Sequence, residues 1–294
     1  PDIEALGVEM VYADLADTAA ARSACEGMDT VFHVAAKVGV WGPYQDFKRA
    51  NVDGTQAVIN GCRDFCVKKL IYTSTPSVVF NGRSIAGGDE SLPYGEDIPC
   101  AYPATKAIAE QAVLAANAVP PGELRTVALR PHLIWGKDDP NLIPRVLDRA
   151  RAGQLKIVGD GGNRVDLTHV DNVVDAHLLA EIALDREENS PAGKAYFISN
   201  DEPVALWDWI NELLKNHDLS PVTQRVSLNA ARRGGAILEG IWKLFRLKGE
   251  PLMTRFVASE LAKDHWFDIS AAKRDLGYRP RVSMAEGMRR LLDS

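Results

Sequence analysis

The chain has 294 residues, 46% of them apolar and 25% charged, with a formal net charge of −6. That composition supplies a full hydrophobic core and excludes a disordered or fibrous chain. The acidic balance argues against a nucleic-acid binder, whose footprint is basic. No apolar run approaches the roughly 18 residues of a membrane-spanning helix, and no basic stretch leads into an apolar one as in a secretory signal. The four cysteines, Cys25, Cys62, Cys66 and Cys100, are too sparse for a disulfide scaffold. Cys62 and Cys66 lack a second pair at zinc spacing, so structural thiols in a reducing compartment and no metal are expected.

In chain order, residues 8–12 read as a short strand. Residues 17–27 carry helical spacing, with Asp17 as N-cap and Gly27 as stop. Residues 30–36 are an apolar run of strand length. Residues 44–65 read as one helix with Val52, Ala57, Val58 and Cys62 on its apolar side, and 69–75 as a β-branched, aromatic strand. A strong helix over 101–117 and a strand over 124–129 follow. Strands alternating with helices of this length predict βαβ units and a parallel sheet covered on both faces. Beyond residue 136 the rhythm changes. Helices are expected at 141–153, 170–184 (with Asp171 read as its cap), 206–214 and after Asn229, and strands at 154–158 and 195–199. The length suggests two units. The division expected is 1–136 with about 165–200, and about 137–164 with 201–294.

The most informative residues are Tyr102 and Lys106, four apart at the head of the 101–117 helix and so on one face. A tyrosine of pKa about 10 is a poor acid or base at neutral pH. A nearby ammonium favours the phenolate and makes the pair a device for moving a proton on a substrate oxygen. The 69–75 strand ends in Thr73, Ser74 and Thr75, and ligands of open α/β sheets bind beyond the carboxyl ends of strands. The plainer reading is that these hydroxyls end the strand before Pro76. Phe32 to Ala36 ends another strand in small residues, Asn51 sits on the next helix, and Arg130 to Gly136 ends a third strand in a proline-led turn.

With these ordered motifs the chain resembles the extended short-chain dehydrogenase/reductase superfamily. The resemblance implies an α/β fold: a doubly wound, Rossmann-type parallel sheet and a smaller, mostly helical C-terminal substrate domain. It implies that Tyr102 is the catalytic acid/base, that Lys106 lowers its pKa and holds the ribose of NAD or NADP, that Thr75 is the catalytic hydroxyl, and that Asn51 supports the lysine. It places Asp14 and Leu15 beside the adenine, Ala35, Ala36 and Lys37 along the phosphates and ribose, and Pro131, His132 and Leu133 near the nicotinamide. Asp14 is alternatively a helix cap, Asn51 a helix-start residue, and His132 a packing residue; His33 is read as a packed strand residue. The chain departs from the family before Asp14, where the glycine-rich turn is expected. A fragment without its first βαβ unit is therefore expected, with a gap in the sheet beside 30–36 and a groove lined by Asp14, Ala35 and Lys106.

The stretches 36–42, 73–82 and 266–280 are similar to the 3β-hydroxysteroid dehydrogenase group, and within it to bacterial 2-alkyl-3-oxoalkanoate reductases. The expected function is interconversion of a secondary alcohol and a ketone on a large apolar substrate. A nucleotide-sugar epimerase or dehydratase and an inactive cofactor-binding regulator are the alternatives. Ile237, Leu238, Ile241, Trp242, Leu244, Phe245 and Leu247 form an apolar band. It reads first as a core-facing helix, and otherwise as a substrate lid or membrane-surface patch. Expected partners are a small apolar substrate and no nucleic acid. A homodimer, and a peripheral membrane contact through 236–248 of a cytoplasmic protein, are left open.

Overall fold

The computed structural model describes residues 3–96, 98–117 and 124–292. Its centre is a four-stranded parallel sheet in the order Thr30–His33, Lys69–Thr73, Arg125–Pro131, Lys194–Ile198. The inner strands are near-continuous apolar runs because helices cover both faces. Leu70, Tyr72 and Ala128 point to one face, where helices Gly54–Asp64 and Ala101–Ala115 supply Ala57, Val58, Cys62, Ala109 and Val113. Ile71, Val127 and Leu129 point to the other, against Ala176, Ala180 and Ala183 of helix Val170–Ala183. This alternation is the period of two that a strand imposes.

Helix Thr18–Ser23 starts as expected: the Asp17 carboxylate accepts from the amides of Ala19 and Ala20. It crosses helix Gly54–Asp64 closely enough that a Cβ on Gly61 would lie 2.6 Å from the Arg22 carbonyl, so only glycine fits there. Four local expectations are corrected. Residues 8–12 form no strand; Val8, Met10, Val11 and Tyr12 are exposed, because no neighbouring strand offers them a ladder. The 30–36 strand stops at His33, and its outer edge has no partner among the described residues. The 44–65 helix is three pieces, Tyr44–Phe47, a π-helical turn over Lys48–Asp53, and Gly54–Asp64. The cap of helix Val170–Ala183 is His169, whose Nδ1 accepts the Asp171 amide, while the Asp171 carboxylate pairs with Arg290.

A second core gathers Trp135, Ile143, Leu147, Trp207, Trp209, Ile210, Leu213, Leu214 and Met288 from the later helices. A mixed sheet of Ile85–Gly88, His265–Phe267, Arg164–Val165 and Val204–Ala205 contributes to both cores, Ile85 and Phe267 to that of the parallel sheet and Val165 to the second. Phe267, Ile269, Ala272, Leu276 and Tyr278 pack back into the core of the parallel sheet. The chain after residue 201 therefore contributes to both cores.

Candidate active site

Tyr102 and Lys106 lie one turn apart on helix Ala101–Ala115, and the strand Lys69–Thr73 delivers Thr75 just past its carboxyl end. Lys106 is 1% exposed; its ammonium donates to the Thr73 carbonyl at 2.6 Å and sits 4.0 Å from the centre of the Tyr72 ring. Such a cation gains from the π face as well as from the carbonyl. Burial nevertheless pulls the Lys106 pKa down to about 7, partly opposed by the Glu110 carboxylate one turn further on. Tyr102 departs from the expectation that its pKa is lowered. Burial raises it to about 12, a hydrogen bond with Thr75 pulls the other way, and Cys100 adds a small further rise. Lys106, whose ammonium lies on the Thr73 carbonyl and the Tyr72 ring, is not among the groups that shift it. Tyr102 therefore holds its proton at neutral pH. Thr75 also caps the short helix Pro76–Val79, accepting the Ser77 amide at 3.3 Å.

Asn51 is buried in the π-helical turn, a feature frequent at functional sites. Its side-chain oxygen accepts the Lys37 amide at 2.7 Å, and its amide nitrogen donates to the Lys37 carbonyl at 3.0 Å and to Thr105 Oγ1 at 3.1 Å. Asn51 thus ties the segment after strand Thr30–His33 to the Tyr102 helix. Asp14, Leu15, Ala35, Ala36 and Lys37 line one groove of about 550 Å³ together with Ala13, Ala16, Asp46, Arg49 and Ala50; Lys106 is not among its walls. Small alanines leave room for a flat ring, and Arg49 and Asp46 are lining residues that the sequence reading missed. Asp14 Oδ1 accepts the Ala16 amide at 2.9 Å, which holds the turn that carries the groove's rim. His33 packs as expected, its Nε2 2.8 Å from Thr55 Oγ1, and burial lowers its pKa to about 3.

Pro131, His132 and Leu133 are not among the walls of that groove. Pro131 ends its strand, and Leu133 packs on the second core. The His132 ring is buried, with Nε2 2.5 Å from His265 Nδ1, and His265 Nε2 donates to the Glu260 carbonyl at 2.8 Å. A separate cleft of about 630 Å³, between residues 89–94, 194–196 and 268–275, includes none of Thr75, Tyr102 and Lys106. Among the described residues no three His, Cys, Asp or Glu side chains converge as a metal site would require. Glu110 is a further missed residue. It continues the Tyr102–Lys106 row at the next helical turn, and that spacing was available in the sequence.

The depressed Lys106 value has a consequence for stability. An unfolded lysine keeps its proton to about 10.5 and the folded one to about 7, so between these values the unfolded chain binds more protons and stability rises with pH. Urea unfolding across this window should show the wild type gaining roughly 3–5 kcal/mol more than Lys106→Met. Parallel curves for the two proteins would show that Lys106 keeps its charge in the fold.

The family described as 3-beta hydroxysteroid dehydrogenase/isomerase matches residues 2–229. The 2-alkyl-3-oxoalkanoate reductase of Stenotrophomonas maltophilia (strain K279a) is 49% identical over 293 residues, covering 99% of this chain and 88% of its own. The reductase of the same name from Shewanella oneidensis is 48% identical, with 99% and 76% covered. The decarboxylating sterol-4-alpha-carboxylate 3-dehydrogenase of Mus musculus is 35% identical, with 98% and 80% covered. Among solved structures, that of gox2253 superposes with a TM-score of 0.73 at 25% identity, covering 99% of this chain and 86% of the other. UDP-glucuronic acid 4-epimerase from Bacillus cereus in complex with NAD gives 0.71 at 23% identity, covering 99% and 83%. These superpositions show a Rossmann-type α/β fold.

Proposed function

The chain belongs to the 3-beta hydroxysteroid dehydrogenase/isomerase family of oxidoreductases, and from that premise we propose that it reduces the ketone of a large apolar 3-oxo acid, or oxidises the matching alcohol, with NAD or NADP. The observation that carries the reading is the convergence of half-buried Tyr102, hydrogen-bonded with buried Thr75, on the strand end where buried Lys106 holds the Thr73 carbonyl. The groove of Asp14, Leu15, Ala35, Ala36 and Lys37 fits the adenosine part of a dinucleotide, because half of its lining residues are alanines and Asp14 and Asp46 offer carboxylates to ribose hydroxyls. Ser74 Oγ, buried without a partner between Thr73 and Thr75, is consistent with a polar ligand at the strand end. A bound nicotinamide dinucleotide supplies the hydride.

The side chains supply the rest. Tyr102, protonated at neutral pH, gives its proton to the carbonyl oxygen, and Thr75 steadies that oxygen by a hydrogen bond. Lys106 keeps donors beyond the one on Thr73 for ribose hydroxyls, and Asn51 fixes the backbone of Lys37 on the groove wall. Pro131, His132 and Leu133 serve as the seam between the sheet and the second core, which walls the nicotinamide end. The 49% identity to a 2-alkyl-3-oxoalkanoate reductase supports that substrate class.

The reading is tested by following nicotinamide absorbance with the holoenzyme. A 2-alkyl-3-oxoalkanoate or a 3-hydroxysteroid is expected to change it, and UDP-glucuronate, followed by chromatography of the sugar nucleotide because an epimerase returns its hydride, is expected to be left unconverted. Turnover of the nucleotide sugar alone would move the protein to the epimerase branch.

A further inference from the structure

Helix Leu228–Phe245 was expected to face a core, and it does so only through Ala231, Gly235 and Glu239. Gly235 lets it lie against the backbone of Thr254 and Arg255, and Glu239 accepts the Arg255 amide at 2.7 Å and its guanidinium at 2.8 Å. Its other side is apolar and open. Ile237, Ile241, Leu244 and Phe245 fall at i, i+4, i+7 and i+8, one helical face, and are 64%, 37%, 76% and 66% exposed. Leu247 and Leu252 extend the patch.

The exposed charges of the helix and of the turn just after it are basic: Arg232, Arg233, Lys243, Arg246 and Lys248, with Arg233 at the edge of the apolar face, in a chain whose net charge is −6. Glu239, the acid within the helix, is buried against Arg255. Arg83 and Lys263 add positive charge near Arg232. A second exposed apolar row, Val170, Val174, Leu178 and Ile182, has no such basic surplus, since the Asp171, Asp175, Glu181 and Asp185 carboxylates pair with Arg290, Arg281 and Lys69. Anionic lipid is attracted to the first row.

Contacts from this end of the chain lead to the head of the Tyr102 helix. The Lys243 ammonium lies 5.8 Å from the Trp41 ring centre, and Glu250 pairs with Arg145 at 3.1 Å and accepts the Val40 amide at 3.4 Å. Val40 in turn accepts from the thiol of Cys100, at the head of the Tyr102 helix. No helix among the described residues is long and apolar enough to cross a membrane, so a contact through this face lies in the interface plane.

We propose that the face of Ile237, Ile241, Leu244 and Phe245 docks on an anionic lipid bilayer and holds the enzyme at the source of its apolar substrate. The docking stands on the surface alone, and only the entry of an apolar substrate from the lipid rests on the reductase reading. The test is co-sedimentation of the full chain with phosphatidylcholine vesicles, with and without phosphatidylglycerol. Binding is expected at least roughly tenfold tighter with phosphatidylglycerol and released by high salt. The exposed-site variant Leu244→Glu/Phe245→Glu is expected to lose the binding and to keep its turnover of a water-soluble short-chain ketone. Equal binding to both vesicles, no binding to either, or a dimer that this variant dissolves without any lipid binding would overturn the proposal. Loss of ketone turnover in wild type with vesicle binding intact would instead count against the reductase reading.

Discussion

Tyr102→Phe is expected to lower turnover of the holoenzyme by roughly 10²–10⁴-fold, the range for removing a general acid–base group, with dinucleotide affinity nearly unchanged. The substitution keeps the ring and removes only the hydroxyl. The groove residues Asp14, Leu15, Ala35, Ala36 and Lys37 and the Lys106 ammonium on the Thr73 carbonyl stay in place. The phenol that burial holds in its protonated form at neutral pH, against the pull of Thr75, is the group lost. Single-turnover kinetics at saturating cofactor separate the chemical step from binding. A variant within threefold of wild type would remove Tyr102 from the proton step, and a large rise in cofactor dissociation constant would assign it to binding. Thr75→Val is the companion change. It should lower turnover less, because the Tyr102 proton remains and only the hydrogen bond that steadies the oxygen is removed.

The parts of this site that were legible beforehand are those written in short-range periodicity. Tyr102 and Lys106 share a face because they are four apart on a helix, and 69–75 reads as a buried strand because its residues are apolar, β-branched and aromatic. The parallel sheet followed from the spacing of such segments. What periodicity does not encode was lost. The π-helical turn at Lys48–Asp53 depends on Asn51 reaching the backbone of Lys37 and the hydroxyl of Thr105, which are remote in sequence. The sign of the Tyr102 shift depends on how deeply the ring is enclosed and on where the Lys106 ammonium points, and spacing fixes neither. Residues 8–12 have the composition of a strand, but a strand exists only where a neighbour offers hydrogen bonds. The band from Ile237 to Leu247 has the same apolar content whether it faces a core or solvent, and only the packing of Gly235 and Glu239 shows which side is inward. His169 takes the cap expected of Asp171 because its ring is held buried at the helix start while the Asp171 carboxylate is drawn to Arg290.

Glu110→Ala is expected to destabilise the fold by about 3–5 kcal/mol, the cost of leaving a buried charge without its partner. Glu110 is wholly buried on the helix that carries Tyr102 and Lys106, and Arg130 ends the neighbouring strand. The guanidinium meets the carboxylate through Nη2 at 2.6 Å and through Nε at 3.1 and 3.2 Å, and Tyr94 donates to Oε1 at 2.7 Å. Arg130 also lies against the Tyr94 and Phe197 rings, 5.7 and 5.0 Å from its centre, which hold it at the buried site when the carboxylate is gone. The double change Glu110→Leu/Arg130→Met removes both charges and should recover most of the loss, since well-packed apolar replacements of buried pairs are often neutral or better. Glu110 also supports the charge on Lys106, so the single variant, where it still folds, should move the lysine's titration further below about 7. Urea unfolding of the single and double variants measures the first effect, and the pH profile of turnover measures the second. A double variant as unstable as the single one would show that packing around residue 110, rather than an unpaired Arg130, carries the cost. An unchanged pH profile would separate this ion pair from the chemistry one turn away.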